Sequence, residues 1–174
     1  MNHADHVELL RPGKIAPGSV WADLGSGAGA FTLALAELTG PTGVIYSVDK
    51  DGSALQQQEK AMRDHFPAIK VYYRRADFTH PLDLPPLDGV IMANSLHFHR
   101  DKDAILKMVR GYLKPGGYLL LVEYNTDHGN PWVPFPLSYP TWKTLAARIG
   151  FAEIQLLATR PSRFMGEIYS AMAR

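Results

Sequence analysis

The sequence predicts an α/β fold: a single doubly wound, mostly parallel seven-stranded sheet with an antiparallel last strand and helices on both faces. Three observations carry this. From residue 20 onward, short apolar runs alternate with helix-length segments. A turn with glycine at every second position, Gly25-Ser26-Gly27-Ala28-Gly29, joins the first run to the first long helix. The last two runs are separated only by Thr159-Arg160-Pro161-Ser162-Arg163. So short a link holds no crossover helix, so these two strands run antiparallel.

Element by element, Val20–Leu24 is predicted as the first strand and Gly43–Val48, entered through Gly40-Pro41-Thr42-Gly43, as the second. Between them Phe31, Leu33, Leu35 and Leu38 mark a helix from Ala28 to about Leu38. Gly52 to about Phe66 reads as a largely exposed helix, followed by strands at Ala68–Tyr73 and Leu87–Ala93. Ile105, Leu106, Met108 and Val109 put one apolar face on a helix spanning Asp101–Tyr112. Lys114-Pro115-Gly116-Gly117 breaks it before the strand Tyr118–Tyr124. A long connection, Asn125 to Pro140, leads to a helix at about Thr141–Ile149 and to strands at about Ala152–Ala158 and Phe164–Ala171. Continuous apolar strands between helices mean a parallel sheet covered on both sides. Residues 1–174 are expected to form one domain.

Composition narrows the function classes. Lys plus Arg number 18 against 17 Asp plus Glu, a formal charge of +1, and no basic run occurs, so a nucleic-acid partner is disfavoured. There is no cysteine, which excludes disulfides, thiolate metal sites and thiol nucleophiles. The first residues lack a signal-peptide pattern, and no apolar run approaches the roughly 20 residues that span a bilayer. A cytoplasmic protein without a membrane partner is expected, and nothing in the sequence specifies an oligomer.

The glycine turn is the centre of the functional reading. Bare backbone and a helix N-terminus suit a ligand, and Gly25, Gly27 and Ala30 also satisfy the dinucleotide pattern. The alternative is that the glycines merely tighten a turn. Asp23, two residues ahead of the first glycine, suits a cationic group and would crowd a pyrophosphate. Asp49 ends the second strand where it can accept bonds from two ribose hydroxyls, a device shared with NAD enzymes. Asp77-Phe78 follows the third strand and offers an acceptor for an adenine amino group beside an apolar ring. An antiparallel final hairpin is foreign to a dinucleotide half-domain.

At these residues the chain resembles the class I S-adenosylmethionine-dependent methyltransferases, from about residue 19 to residue 174. Asp23-Leu24-Gly25-Ser26-Gly27-Ala28-Gly29 looks like that family's first motif and Val44-Ile45-Tyr46-Ser47-Val48-Asp49 like its ribose-binding strand. Leu87-Asp88-Gly89-Val90-Ile91-Met92-Ala93-Asn94 resembles the fourth-strand motif and Leu113-Lys114-Pro115-Gly116-Gly117 the turn before the fifth strand. The resemblance implies S-adenosylmethionine as cofactor, S-adenosylhomocysteine as product and a methyltransferase activity. It implies Gly25, Gly27 and Gly29 along the methionine part, and Asp23 near its ammonium, directly or through water. Asp49 would take the ribose hydroxyls and Asp77 the adenine amino group, with Phe78 beside the ring. Asn94 would meet the methionine end through its backbone. Lys50 stands where the family often has an apolar cover for the adenine, and would use its methylene stem. The competing readings are an NAD-dependent oxidoreductase and a non-catalytic cofactor-binding protein of the same fold.

Methyl transfer asks the protein to align the reactants, exclude water and, where needed, remove a proton. His97 is the candidate base, because imidazole titrates near neutrality; a capping or core role is the alternative. His97 and His99 with Asp101 are not expected to bind a metal, since spacing of two splays the side chains on a helix. No N-P-P-Y type motif follows the fourth strand, so a small-molecule substrate is favoured. Tyr124, Trp132 and Tyr139, with Phe135 and Trp142, are candidate walls for it, or else plugs of the core. Arg160 and Arg163 could hold a carboxylate or phosphate, unless Arg163 pairs with Glu123 or Glu167. The stretch from His6 to Arg11 is expected to be a short helix, and residues 1–18 to cover the cofactor, because Val7, Leu9 and Leu10 have no other evident place to pack.

Overall fold

A computed structural model describes residues 1–174. Its seven strands are β1 (Val20–Leu24), β2 (Val44–Asp49), β3 (Lys70–Arg75), β4 (Leu87–Ala93), β5 (Leu113–Tyr124), β6 (Gln155–Ser162) and β7 (Gly166–Ala173). They form one sheet in the order β3-β2-β1-β4-β5-β7-β6. The first five are parallel; β7 lies antiparallel between β5 and β6. This is the predicted doubly wound sheet.

The helices are α1 (His3–Leu10), α2 (Ala30–Thr39), α3 (Gly52–His65), α4 (Asp103–Tyr112) and α5 (Tyr139–Ile149). Alternation along the buried strands divides the core in two. On β5, Leu119 and Leu121 face α4 and α5, whereas Leu120 and Val122 face α1 and α2. Met62 of α3 joins the second cluster.

Local chemistry sets the ends. Gly29, at φ 90°, caps α2, so the helix begins two residues later than predicted. Asp51 caps α3 by accepting from the N–H groups of Ser53 (2.8 Å) and Ala54 (3.3 Å). Between β4 and β5 the register jumps from Leu87↔Leu113 to Gly89↔Tyr118, so Lys114–Gly117 loops out within one strand instead of ending a helix before it.

Two expectations are corrected. The link between the last strands is residues 163–165, because β6 runs on through Thr159, Arg160, Pro161 and Ser162. β6 is an edge strand, where a proline can turn its missing N–H outward. The N-terminal helix contributes no residue to the cavity beside the Gly25 turn described below. Val7, Leu9 and Leu10 do have a place to pack, beside Trp21, Phe31 and Leu35, and the Ser170 hydroxyl donates to the Leu9 carbonyl (2.6 Å). α1 is thus a cover for the sheet.

Candidate active site

Beyond Leu24 the chain turns through Gly25 (φ 76°), Gly27 (φ 53°) and Gly29 (φ 90°), all in the left-handed region that disfavours a Cβ. Each glycine has its own surroundings. A Cβ on Gly25 would stand 2.5 Å from Cβ of Ser95 and 3.0 Å from the Phe78 ring. One on Gly29 would intrude on the Gln58 side chain, and one on Gly27 would meet nothing. Gly25 therefore lets the turn close against the loop after β4, and Gly29 admits a side chain from α3.

Next to the turn lies a cavity of about 230 Å³. Six predicted residues line it: Gly25, Asp49, Lys50, Asp77, Phe78 and Asn94; Ala76, Ser95, Phe98 and His99 complete its wall. Larger hollows exist, such as one of about 490 Å³ between α4 and α5, but its rim carries the ion pair of Arg148 and Asp103 rather than a bare-backbone cradle.

Asp49 is held at both oxygens, accepting from the Gly27 N–H (2.7 Å) and the Asp51 N–H (2.8 Å). A carboxylate offers about four acceptor positions, so room for further donors remains. Asp77 accepts from the Thr79 N–H (2.9 Å) and hydroxyl (2.7 Å), which hold its carboxyl below the usual range. Asn94 ends β4 at φ 52°, an uncommon angle for a residue with a side chain. Its Oδ1 is buried and has no partner within the protein. Such an atom costs free energy until a donor reaches it.

Asp23, Gly27 and Gly29 do not line the cavity. Asp23 is only 1% exposed and sits behind the turn, accepting one bond from the Thr32 hydroxyl (2.6 Å). Burial pushes its carboxyl up to about 7, and the Thr32 bond offsets this only in part. Thr32 in turn accepts from the Gln58 amide, whose carbonyl takes the Ser47 hydroxyl (2.8 Å). Gln58 is fully buried on a helix that the sequence reading takes as largely exposed. The available signal was the buried face Leu55, Gln58, Met62, at spacings of three and four.

His97 has a partner that sequence reasoning missed. Its Nδ1 lies 2.7 Å from Oε2 of Glu123, and its backbone N–H donates to Oε1 of the same carboxylate (3.1 Å). Both side chains are buried, and Nε2 has no bond within the protein. The arrangement is a carboxylate that fixes an imidazole tautomer and leaves the other nitrogen as acceptor. The imidazole packs on Phe98, a wall of the cavity, with centroids 4.4 Å apart. Neighbouring bonds clamp this loop: Phe135 donates its N–H to the His97 carbonyl (2.9 Å), and the Lys102 ammonium donates to the His99 (2.7 Å) and Phe135 (2.9 Å) carbonyls.

The predicted substrate residues separate. Tyr124 and Trp132 stand at the strand C-terminal rim, linked by Phe164. Tyr139 packs edge-on against Tyr169 of the core, and Trp142 is fully buried in α5. Arg163 does not pair with either expected acid, because Glu123 holds His97 and Glu167 accepts from the Asn125 amide (2.6 Å).

Comparison with known proteins agrees with this geometry. Residues 15–149 match a family model described as a methyltransferase domain. The ubiquinone/menaquinone biosynthesis C-methyltransferase UbiE of Shewanella frigidimarina is 33% identical over 126 residues, covering 71% of this chain and 48% of that protein. The chain thus spans about half the length of the curated relatives it matches. Among solved structures, a SAM-dependent methyltransferase from Aquifex aeolicus superimposes with a TM-score of 0.76 at 18% identity, over 97% of this chain and 88% of that one. The YcgJ protein of Bacillus subtilis gives 0.78 at 12% identity over 98% of both chains. At such identities these two speak for the fold.

Proposed function

Since the chain belongs to the methyltransferase-domain family, matched over residues 15–149, we propose that it binds S-adenosylmethionine and transfers methyl to carbon, oxygen or nitrogen of a small molecule. The competing nicotinamide reading yields to this membership. One sheet with two cores running from α1 to β7 supports treating residues 1–174 as a single domain.

The residues present suit this cofactor. The observation that carries the reading is the cradle itself: Gly25, the acceptors Asp49 and Asp77, and Asn94, whose buried Oδ1 has no partner, all line one cavity. Asp49 would take ribose hydroxyls, and the free oxygen of Asp77 an exocyclic amine beside Phe78. Lys50 would lay its stem over the base. Asn94 would receive a donor from the methionine end. Asp23 is too deep for direct contact, so it would act on the ammonium through its charge or a water.

When bound, S-adenosylmethionine supplies an electrophilic methyl carbon and a neutral leaving group. The protein's own chemistry lies at His97. Glu123 holds Nδ1, so Nε2 would take the proton that a C–H, O–H or N–H acceptor must shed. The buried carboxylate would stabilise the imidazolium that results. The name of the Shewanella frigidimarina relative, a C-methyltransferase, favours carbon as the methylated atom. No helix is long and apolar enough to cross a membrane, consistent with an acceptor met from the aqueous side.

Calorimetry with S-adenosylhomocysteine and with NAD tests the reading. Binding of the first and not the second is expected; the reverse result refutes it. A turnover assay with a panel of acceptors separates an enzyme from a silent binding protein.

A further inference from the structure

Beyond the His97 imidazole stands a file of aromatic rings. Centroid distances are 6.1 Å from His97 to Tyr124, 5.7 Å from Tyr124 to Phe164 and 6.4 Å from Phe164 to Trp132. Its outer members lie open: Trp132 is 71% exposed and Phe164 51%. Both ride on braced turns. Asn130 Oδ1 accepts from the N–H groups of Trp132 and Val133, each at 2.9 Å, and the Phe164 N–H reaches the Ser162 hydroxyl (3.2 Å). Large exposed rings carried on braced turns, in file with an imidazole, mark a binding surface.

A charge completes the surface. In the sheet register Tyr124 pairs with Ile168, and Ile168 with Arg160. Directly paired residues share a face, so Arg160 lies on the Tyr124 side, two strands away. It is half-buried and makes no ion pair; Arg163, beside Phe164, makes none either. The acids of this rim are engaged: Glu123 with His97, Glu167 with Asn125, and Asp127 with Ser138 and Thr141.

We infer that this file of rings with Arg160 is the acceptor subsite, and that the acceptor is a planar aromatic molecule bearing an anionic group. The inference rests on the methyltransferase reading and adds the substrate class to it. Aromatic faces and edges complement one another in the offset and edge-on arrangements that the file already shows. A ring laid against Tyr124 and Phe164 would lie along the file whose inner member is the His97 imidazole. A carboxylate on its far side meets the planar guanidinium of Arg160. An aliphatic acceptor would leave the ring faces unused, even where it carries a carboxylate for Arg160.

The test is calorimetric titration of the full chain, saturated with S-adenosylhomocysteine, by 1-hydroxy-2-naphthoate, 1-naphthol and decanoate. Hydroxynaphthoate is expected to bind most tightly, and W132A or F164A to weaken it about tenfold. R160Q should weaken hydroxynaphthoate by a similar factor and leave naphthol unchanged, with affinity for S-adenosylhomocysteine unaltered in every variant. The inference falls if hydroxynaphthoate does not bind, if decanoate binds as well, or if the ring substitutions leave affinity unchanged. Failure of the unsubstituted protein to bind S-adenosylhomocysteine refutes the methyltransferase reading instead.

Discussion

Asp23→Asn probes the electrostatics behind the glycine turn. The carboxyl is 1% exposed, has one hydrogen bond, from Thr32 at 2.6 Å, and pairs with no cation. Burial raises it from 3.8 to about 7. The folded protein therefore holds this proton more tightly than the unfolded chain does. That stabilisation is full below about pH 4 and is lost as pH climbs to about 7. Each unit across the window corresponds to about 1.4 kcal/mol, so some three units set a ceiling of ~4 kcal/mol, which relaxation of the site lowers. Asparagine keeps the shape and an acceptor for Thr32 but cannot ionise. Urea unfolding of both proteins at successive pH values measures the effect. The stability of D23N relative to the unsubstituted protein should rise between about pH 4 and about pH 7 and level off above. A difference that stays flat across that window would mean Asp23 is not held in a desolvated, unpaired state.

Three further outcomes are expected. Asp49→Ala should weaken S-adenosylhomocysteine binding by about 1–3 kcal/mol in calorimetry, the scale of bonds to a charged group; unchanged affinity would put the ribose elsewhere. Leu9→Ala should cost about 2–5 kcal/mol of unfolding free energy and spare cofactor affinity, since its side chain is fully buried against the sheet. Lost affinity with intact stability would restore a covering role to α1. Glu123→Gln and His97→Ala should each lower turnover about 10²–10⁴-fold, and the double variant should be little worse than either. Additive losses would show that the two residues act separately.

The strands were legible because β1, β4 and β5 are apolar on both faces, a property carried by contiguous residues. The cradle was legible for the same reason: Asp49 ends a strand, and Gly25, Asp77 and Asn94 stand within two residues of one. What escaped depends on distant partners. Val7, Leu9 and Leu10 meet side chains drawn from Trp21 to Met172, which no local pattern of α1 encodes. Gln58 is polar on a polar helix, and the room its side chain occupies comes from the missing Cβ of the distant Gly29. Glu123 was weighed as a partner for Arg163, yet a carboxylate closing the buried run Leu119–Val122 demanded a partner nearer the interior, and His97 supplies it. Pro161 signalled a turn because its exemption as an edge residue becomes visible only once the sheet is assembled.

The insertion of β7 has a consequence for how the protein comes to life on the ribosome. β5 emerges forty residues ahead of β7, and β6 in between, yet β5 and β6 are joined in the sheet only through β7. Until that strand docks, β5 offers an unsatisfied edge, and Glu123, whose neighbour in the register is Tyr169, lacks its flank. Synthesis in the N-to-C direction thus completes β1 to β4 and the Gly25 turn before β5 gains its second neighbour.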